Sequence, residues 1–187
     1  RMLSASSLPR SFRCLASAVH AQADFSTKAG ADGTARHADQ EIAVNAGDLS
    51  CLPDVLFHMI DGMDDAEVKA EIALAYNWST DTARIIGYGV NRDYSGVDAL
   101  EIPGTADIIA AGYVDGKLRV IIADKKGYDA VEHPSENKQT LHNALCAARI
   151  FGVSEVTVCI HGEIGPAKFA TLDAFDLDAF AESLRTL

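Results

Sequence analysis

The sequence predicts an α/β fold in which a mixed β-sheet is flanked by helices. Residues 105–114 and 118–123 are rich in β-branched and apolar side chains, and Asp115-Gly116 between them is typical of a type I′ hairpin turn. A segment with apolar residues at helical spacing follows, and residues 155–160 have the composition of a third strand. The order β-β-α-β implies a mixed sheet with helices packed against it.

The first thirty residues allow two interpretations. In one, Ser4 or Ser6 caps a helix whose apolar face is formed by Leu8, Phe12 and Leu15. In the other, residues 1–30 are a mitochondrial presequence, because they contain three arginines, six serines and only one acid.

Two helices and a strand are expected before the hairpin. A short helix carries His37 and Glu41, which are four residues apart and therefore share a face, and it ends at residues 45–48. Residues 64–76 predict a second helix, since their apolar residues form a stripe at helical spacing after an acidic first turn. Residues 83–90 resemble a strand.

Two helices are expected after the hairpin. Ser135 is the predicted N-cap of the first, and Gly152 the residue that ends it. Its apolar face is formed by Leu141, Ala144, Leu145 and Ala148. Residues 176–187 predict a short amphipathic helix. We expect one domain over residues 1–187, with an N-terminal helical segment over about 3–80 and the sheet core over about 83–165.

Composition restricts the function. Hydrophobic residues make up 48%, so a sizeable core can form, and 16 basic against 27 acidic residues give a net charge of −11. Such a chain does not bind nucleic acid through bulk electrostatics. The sequence contains no run of ~18 apolar residues, so it predicts no membrane-spanning helix. The four scattered cysteines favour reduced thiols in a cytosolic protein over disulfides or a zinc site.

Two acids and a lysine are the candidates for chemistry. Asp107 lies at the head of the first hairpin strand, and Asp124 and Lys126 lie at the end of the second. Two carboxylates at a sheet edge, with the main-chain carbonyl of Lys125, form a hard oxygen site suited to Mg²⁺ or Mn²⁺. Lys126 can orient a water or balance charge on a phosphate. Alternatively, these residues are solvated charges at strand ends.

The order of these motifs resembles the PD-(D/E)XK nuclease superfamily, and within it the RecB-like branch, which includes phage exonuclease-like proteins and CRISPR adaptation nucleases. The resemblance covers about residues 3–160. It is carried by the opening segments 3–6 and 13–17, by Gly33-Thr34-Ala35-Arg36-His37 with Glu41, by Gly104-Thr105-Ala106-Asp107, and by Asp124-x-Lys126 followed by a helix with Gln139.

The resemblance implies a restriction-endonuclease-like fold and a role for each matched residue. His37, Asp107 and Asp124 would be metal ligands, and Lys126 would be the catalytic lysine. Glu41 would support the site, and Gln139 would contact the lysine or the DNA backbone.

Two departures from the family pattern bear on these expectations. Leu15 stands where the family usually has proline. Of the cysteines that hold an iron–sulfur cluster in some members, only Cys14 has a counterpart, so no iron–sulfur cluster is expected.

The sequence therefore predicts a metal-dependent deoxyribonuclease, most simply an exonuclease of phage or bacterial recombination or repair, in the cytoplasm. Its expected partners are single-stranded DNA or duplex ends and a recombination partner protein. The alternative is a catalytically silent nuclease-fold module that binds DNA ends or a partner protein. A mitochondrial matrix location is the minority interpretation. Residues 77–81 and 91–94 contain polar and aromatic groups that either contact DNA or are strand-end loops.

Overall fold

The computed structural model describes residues 3–14, 38–89, 94–127 and 132–187. In these ranges the chain is a mixed α/β structure built on a six-stranded sheet with the spatial order β2-β1-β3-β4-β5-β6. The strands are β1 (Asp64–Asn77), β2 (Thr82–Tyr88), β3 (Glu101–Val114), β4 (Lys117–Lys125), β5 (Val156–His161) and β6 (Lys168–Leu172).

Helical segments lie before and after the first four strands. In chain order they are a 3₁₀ turn (Ala5–Ser7), α1 (Leu8–Arg13), the helical residues 38–45 (α2), α3 (Asp54–Asp61), α4 (Lys138–Phe151) and α5 (Ala174–Arg185). In the part of the chain described, none of the helices has the length and hydrophobicity that a membrane crossing requires.

The central hairpin is confirmed. β3 and β4 pair in antiparallel fashion, and Asp115 and Gly116 between them have φ of 51° and 71°. Positive φ at both central positions is what a type I′ turn requires. β5 lies parallel to β4, so α4 forms the crossover connection that parallel neighbours need. The other pairings, β1 with β2 and β3, and β5 with β6, are antiparallel.

Both faces of the sheet are covered. On one face α4 and α5 pack on the strands, with Leu145 of α4 and Ile122 of β4 fully buried. On the other face α2 and α3 supply Val44 and Leu56, which pack against Ile108. A strand in the middle of such a sheet buries side chains in both directions.

This burial explains a wrong prediction. Asp64–Asn77 is strand β1 and not a helix, so the helical N-terminal segment does not extend over 3–80. From Ala70 onward nearly every residue of β1 is buried, and the alternation typical of a strand is therefore hidden. The apolar residues of this segment also happen to recur at the spacing of a helix face, and this spacing led to the helix prediction.

Several element boundaries were predicted more closely. The 83–90 strand is confirmed as β2, and the tail helix as α5. The predicted cap of α4 is wrong: Asn137, not Ser135, precedes the helix, and its side-chain oxygen accepts the Thr140 N–H at 2.9 Å. Gly152 ends α4 with φ of 66°, as predicted.

The start of the chain joins the core. Ser4 precedes the 3₁₀ turn, and Ala5 and Leu8 are 1% and 0% exposed. Leu8 packs in the cluster beneath α4, so residues 5–8 are part of the folded sheet structure. Leu15, predicted on the same helix face, lies outside the described residues.

Candidate functional site

The hairpin register brings the two predicted carboxylates together. Ile108 pairs with Ala123, so Asp107 and Asp124 are the next pair along the two strands. Oδ2 of Asp107 accepts a hydrogen bond from the main-chain N–H of Lys125 at 2.7 Å. The structure therefore places both acids at the same end of the hairpin, where the sequence predicted a shared site.

Lys126 is bound to the second of these acids. Its Nζ lies 2.5 Å from Oδ2 of Asp124, whose side chain is only 2% exposed. The main-chain N–H of Lys126 donates to the carbonyl of His161 on β5 at 2.8 Å, which holds the lysine against the neighbouring strand. A buried carboxylate needs such a partner, because desolvation disfavours its charged form.

Gln139 reaches the same carboxylate from α4. Its Nε2 lies 3.4 Å from Oδ1 of Asp124, a long hydrogen bond. Gln139 is the second residue of α4, so its position depends on where that helix begins and how it docks. The structure thus brings Gln139 to the site through Asp124, whereas the predicted contact was with the lysine or the DNA backbone.

Close packing against β3 fixes the position of α4. Nε2 of His142 lies 2.9 Å from the carbonyl of Ile102, and Nδ2 of Asn143 donates to the carbonyl of Thr105 at 3.0 Å. A Cβ at Gly104 would come within 2.6 Å of the Cβ of Ala5, so only glycine fits there. Burial lowers the pKa of His142, which keeps the imidazole neutral in this contact.

Lys125 contributes differently from Lys126. Its N–H holds Asp107, and its side chain lines a separate cavity with Cys51 and His161. The ligand role expected for its carbonyl stays a prediction.

Glu41 and His37 were predicted to complete the site from the first helical region. Glu41 lies on α2, and its Oε1 is 3.0 Å from the position that a Cβ would take on Gly89, beyond the end of β2. Glu41 therefore approaches from the β1–β2 side of the sheet. His37 lies outside the described residues.

Glu71 is a candidate that the sequence reasoning missed. Ala70 pairs with Ile108 and Ile72 pairs with Ala106, so Glu71 stands opposite Asp107. Glu71, Asp107 and Asp124 thus occupy equivalent positions on three adjacent strands. The signal in the sequence is an isolated acid among apolar residues, but the helical spacing of those residues predicts a helix there.

The backbone at Glu71 is unusual. Its φ is 51°, in the left-handed region, although it lies in the interior of β1. Ala70 packs on one face of the sheet and Ile72 on the other, so the alternation of the strand reverses at this residue. The carbonyl of Glu71 accepts the N–H of Gly89 at 3.0 Å. Such irregularities often re-aim a side chain at a functional site.

A small cavity connects these groups. Its volume is about 20 Å³, enough for roughly one water molecule. It is lined mostly by polar residues, which come from five parts of the chain: Ser6, Glu71, Tyr94, Gly104, Thr105, Asp107 and Gln139. The arrangement can bind a small polar group beside the acids.

The donor set agrees with a divalent metal in kind. Asp107 and Asp124 offer carboxylate oxygens at neighbouring register positions, and Mg²⁺ and Mn²⁺ prefer such oxygens. In the ranges that the structure describes, however, no three His, Cys, Asp or Glu side chains are grouped closely enough to hold a metal ion.

Comparisons with known proteins do not assign a family. No protein-family model matches the chain, and no curated protein matches it. A solved structure titled "Crystal structure of SSO0001" is similar at 14% sequence identity over 97% of this chain and 85% of that chain, with a TM-score of 0.33. A TM-score this low does not establish a shared fold.

Proposed function

We propose that this chain is a metal-dependent deoxyribonuclease with a restriction-endonuclease-like core. The observation that carries the proposal is the arrangement of Asp107, Asp124 and Lys126: two carboxylates in one hairpin register and an ammonium 2.5 Å from the second. An exonuclease that acts on DNA ends in phage or bacterial recombination or repair fits this site, and the bacterial cytoplasm would be its location.

The protein's own groups have distinct tasks in this proposal. Asp107 and Asp124 would hold Mg²⁺ or Mn²⁺, which when bound supplies an activated water and neutralises phosphate charge. Lys126 provides a positive charge for the phosphate, since its side chain is one third exposed and its Nζ lies beside Asp124. Gln139 orients the carboxylate of Asp124 from α4.

The net charge of −11 is consistent with a requirement for metal. A cluster of carboxylates repels phosphate until a cation neutralises it. DNA affinity should therefore be weak and local, and it should increase strongly when a divalent ion is added.

The test is digestion of linear single-stranded and duplex DNA with Mg²⁺ or Mn²⁺. We expect Asp124→Asn and Lys126→Ala to lower the cleavage rate by about a hundredfold or more. Asp115→Asn and Lys117→Ala, at the opposite end of the same hairpin, are matched controls that should cleave like the wild type. Equal rates in all four variants would exclude the assignment.

A second candidate is a catalytically silent module that binds DNA ends or a partner protein. It is favoured by the ion pair between Lys126 and Asp124, which occupies the acid. Calorimetric titration with Mn²⁺ separates the two functions. Specific Mn²⁺ binding that Asp124→Asn removes supports the nuclease, whereas DNA binding that is independent of divalent ions supports the module.

A further inference from the structure

Two hydroxyl groups lie beside the carboxylates. The phenol oxygen of Tyr94 is 2.8 Å from Oγ1 of Thr105, and both residues line the small cavity with Asp107. Thr105 is two residues before Asp107 on β3, whereas Tyr94 belongs to the connection between β2 and β3. The hydroxyl pair is thus a second set of polar groups beside the three acids Glu71, Asp107 and Asp124.

The pair has a hydrogen to donate. Each hydroxyl carries one hydrogen, and the bond between the two oxygens uses only one of them. The second hydrogen can be donated to one oxygen atom that enters the cavity, which has room for about one water-sized group. A phosphate oxygen is a strong acceptor, and a hydroxyl donor adds a hydrogen bond to the positive charge that Lys126 provides for the same phosphate.

The backbone next to both hydroxyls is tied to neighbouring elements. The carbonyl of Thr105 accepts a hydrogen bond from Asn143 of α4 at 3.0 Å. The connection that carries Tyr94 is tied to β2, because Arg84 donates to the carbonyl of Gly96 at 2.7 Å. Groups held in this way lose little freedom when they bind a ligand.

We propose that Tyr94 and Thr105 together donate a hydrogen bond to a non-bridging oxygen of the DNA phosphate next to the carboxylates. Tyr94 is then a residue that positions the substrate. This inference depends on the proposed nuclease function, and it adds a phosphate contact from neutral groups to the one that Lys126 provides.

The experiment compares Tyr94→Phe, Thr105→Val and the double variant with the wild type. The Kd for a fluorescent oligonucleotide is measured by anisotropy with Ca²⁺, and KM and kcat are measured with Mg²⁺. Each single variant should raise Kd and KM about three- to tenfold, which corresponds to the loss of one hydrogen bond. kcat should change by less than about twofold, because the contact serves ground-state binding.

The double variant should bind no more weakly than the weaker single variant, because both substitutions remove the same bond. Tyr113→Phe is the matched control, since this tyrosine is 45% exposed at the far end of β3. Its Kd should equal that of the wild type.

Two results would overturn the inference. Tyr94→Phe with wild-type Kd and KM excludes the contact, and effects that add in the double variant exclude the shared bond. If the wild type cleaves DNA while Tyr94→Phe is unchanged, only the positioning role fails. A wild type that neither binds nor cleaves DNA removes the nuclease proposal and this inference together.

Discussion

Asp107 and Asp124 occupy neighbouring positions across the β3–β4 hairpin because the turn between the strands has only two residues. The residues on either side of Asp115 and Gly116 pair directly with each other. The pairing continues along the hairpin without a register shift as far as the two acids. The N–H of Lys125 donates to Oδ2 of Asp107 at 2.7 Å and ties the end of one strand to the acid on the other. The geometry of the site is therefore set by a turn at the opposite end of the hairpin.

Lys126→Met should change metal binding and cleavage in opposite directions. The substitution removes the ammonium that lies 2.5 Å from Asp124 and competes with a cation for that carboxylate. Mn²⁺ affinity should rise by about fivefold, the size expected for a partly exposed charge pair. Cleavage should fall by about a hundredfold or more. Calorimetry and a DNA digestion assay measure the two effects.

The control for this variant is Lys117→Met, at the start of β4, which should leave both quantities unchanged. Weaker Mn²⁺ binding by Lys126→Met would show that the lysine supports the metal site and does not compete for it.

Glu71→Gly should stabilise the protein while lowering its activity. Glutamate at φ of 51° is strained, whereas glycine adopts this conformation freely. The free energy of unfolding should rise by about 0.5 to 1 kcal/mol, measured with urea. DNA cleavage should fall, since the variant removes the carboxylate opposite Asp107.

Two further variants separate the effects of backbone and side chain at Glu71. Glu71→Gln keeps the strain and should lower activity with little change in stability. Asp65→Gly relieves the same φ of 51° at an exposed position of β1 and should stabilise the protein without affecting cleavage. Full activity in Glu71→Gly would place Glu71 outside the site.

The hairpin and β1 show what the sequence could and could not predict. The Asp115-Gly116 turn is a local signal with a specific backbone conformation, so the hairpin and the ends of its strands were predictable. β1 was not predictable, because no local signal identifies it. It is recognised as a strand only by its pairing with β2 and β3, which are formed by other parts of the chain. Its alternation disappears when both faces are buried, and only the tertiary structure identifies it as a strand.

The candidate site divides in the same way. Asp124 and Lys126 were found because they follow an apolar strand directly. Glu71 reaches the site through strand pairing, which leaves no spacing pattern in the sequence. Tyr94 belongs to the segment 91–94 that the sequence offered for DNA contact, but the sequence did not predict its place beside Asp107. The length of the two-residue turn also determines the strand register, and therefore the pairing of Asp107 with Asp124. The sequence analysis did not derive this register.

The thiols should separate into two reactive and two protected groups. Cys14 and Cys51 are exposed, whereas Cys146 and Cys159 are buried. Burial raises the pKa of Cys159 to about 12 and also raises that of Cys146, so neither forms the reactive thiolate at pH 8. A colorimetric thiol reagent should titrate two groups in the native protein and four in urea. Four rapidly reacting thiols without denaturant would contradict the packing of α4 and β5.

Arg84 and Glu101 should make stability depend on pH. Two nitrogens of Arg84 donate to the two carboxylate oxygens of Glu101 at 2.8 Å, and the Glu101 side chain is only 7% exposed. These hydrogen bonds hold the pKa of Glu101 below its ordinary value of 4.5, against the effect of burial. A carboxyl with a lowered folded-state pKa contributes stability above its unfolded-state pKa, and this contribution is lost as pH falls through the folded-state value.

Arg84→Met should therefore lower the free energy of unfolding by about 2 kcal/mol at pH 7, because it leaves a buried carboxylate without its partner. The difference from the wild type should shrink as pH falls through the lowered folded-state pKa of Glu101, where this carboxyl becomes protonated even in the wild type. Arg84→Lys keeps the charge but loses the two parallel hydrogen bonds. Its free energy of unfolding should therefore lie between those of the wild type and Arg84→Met. Urea unfolding at pH 7 and pH 3 measures the effect. An equal destabilisation by Arg84→Met at both pH values would show that Arg84 acts through packing and its bond to Gly96 and not through the charge of Glu101.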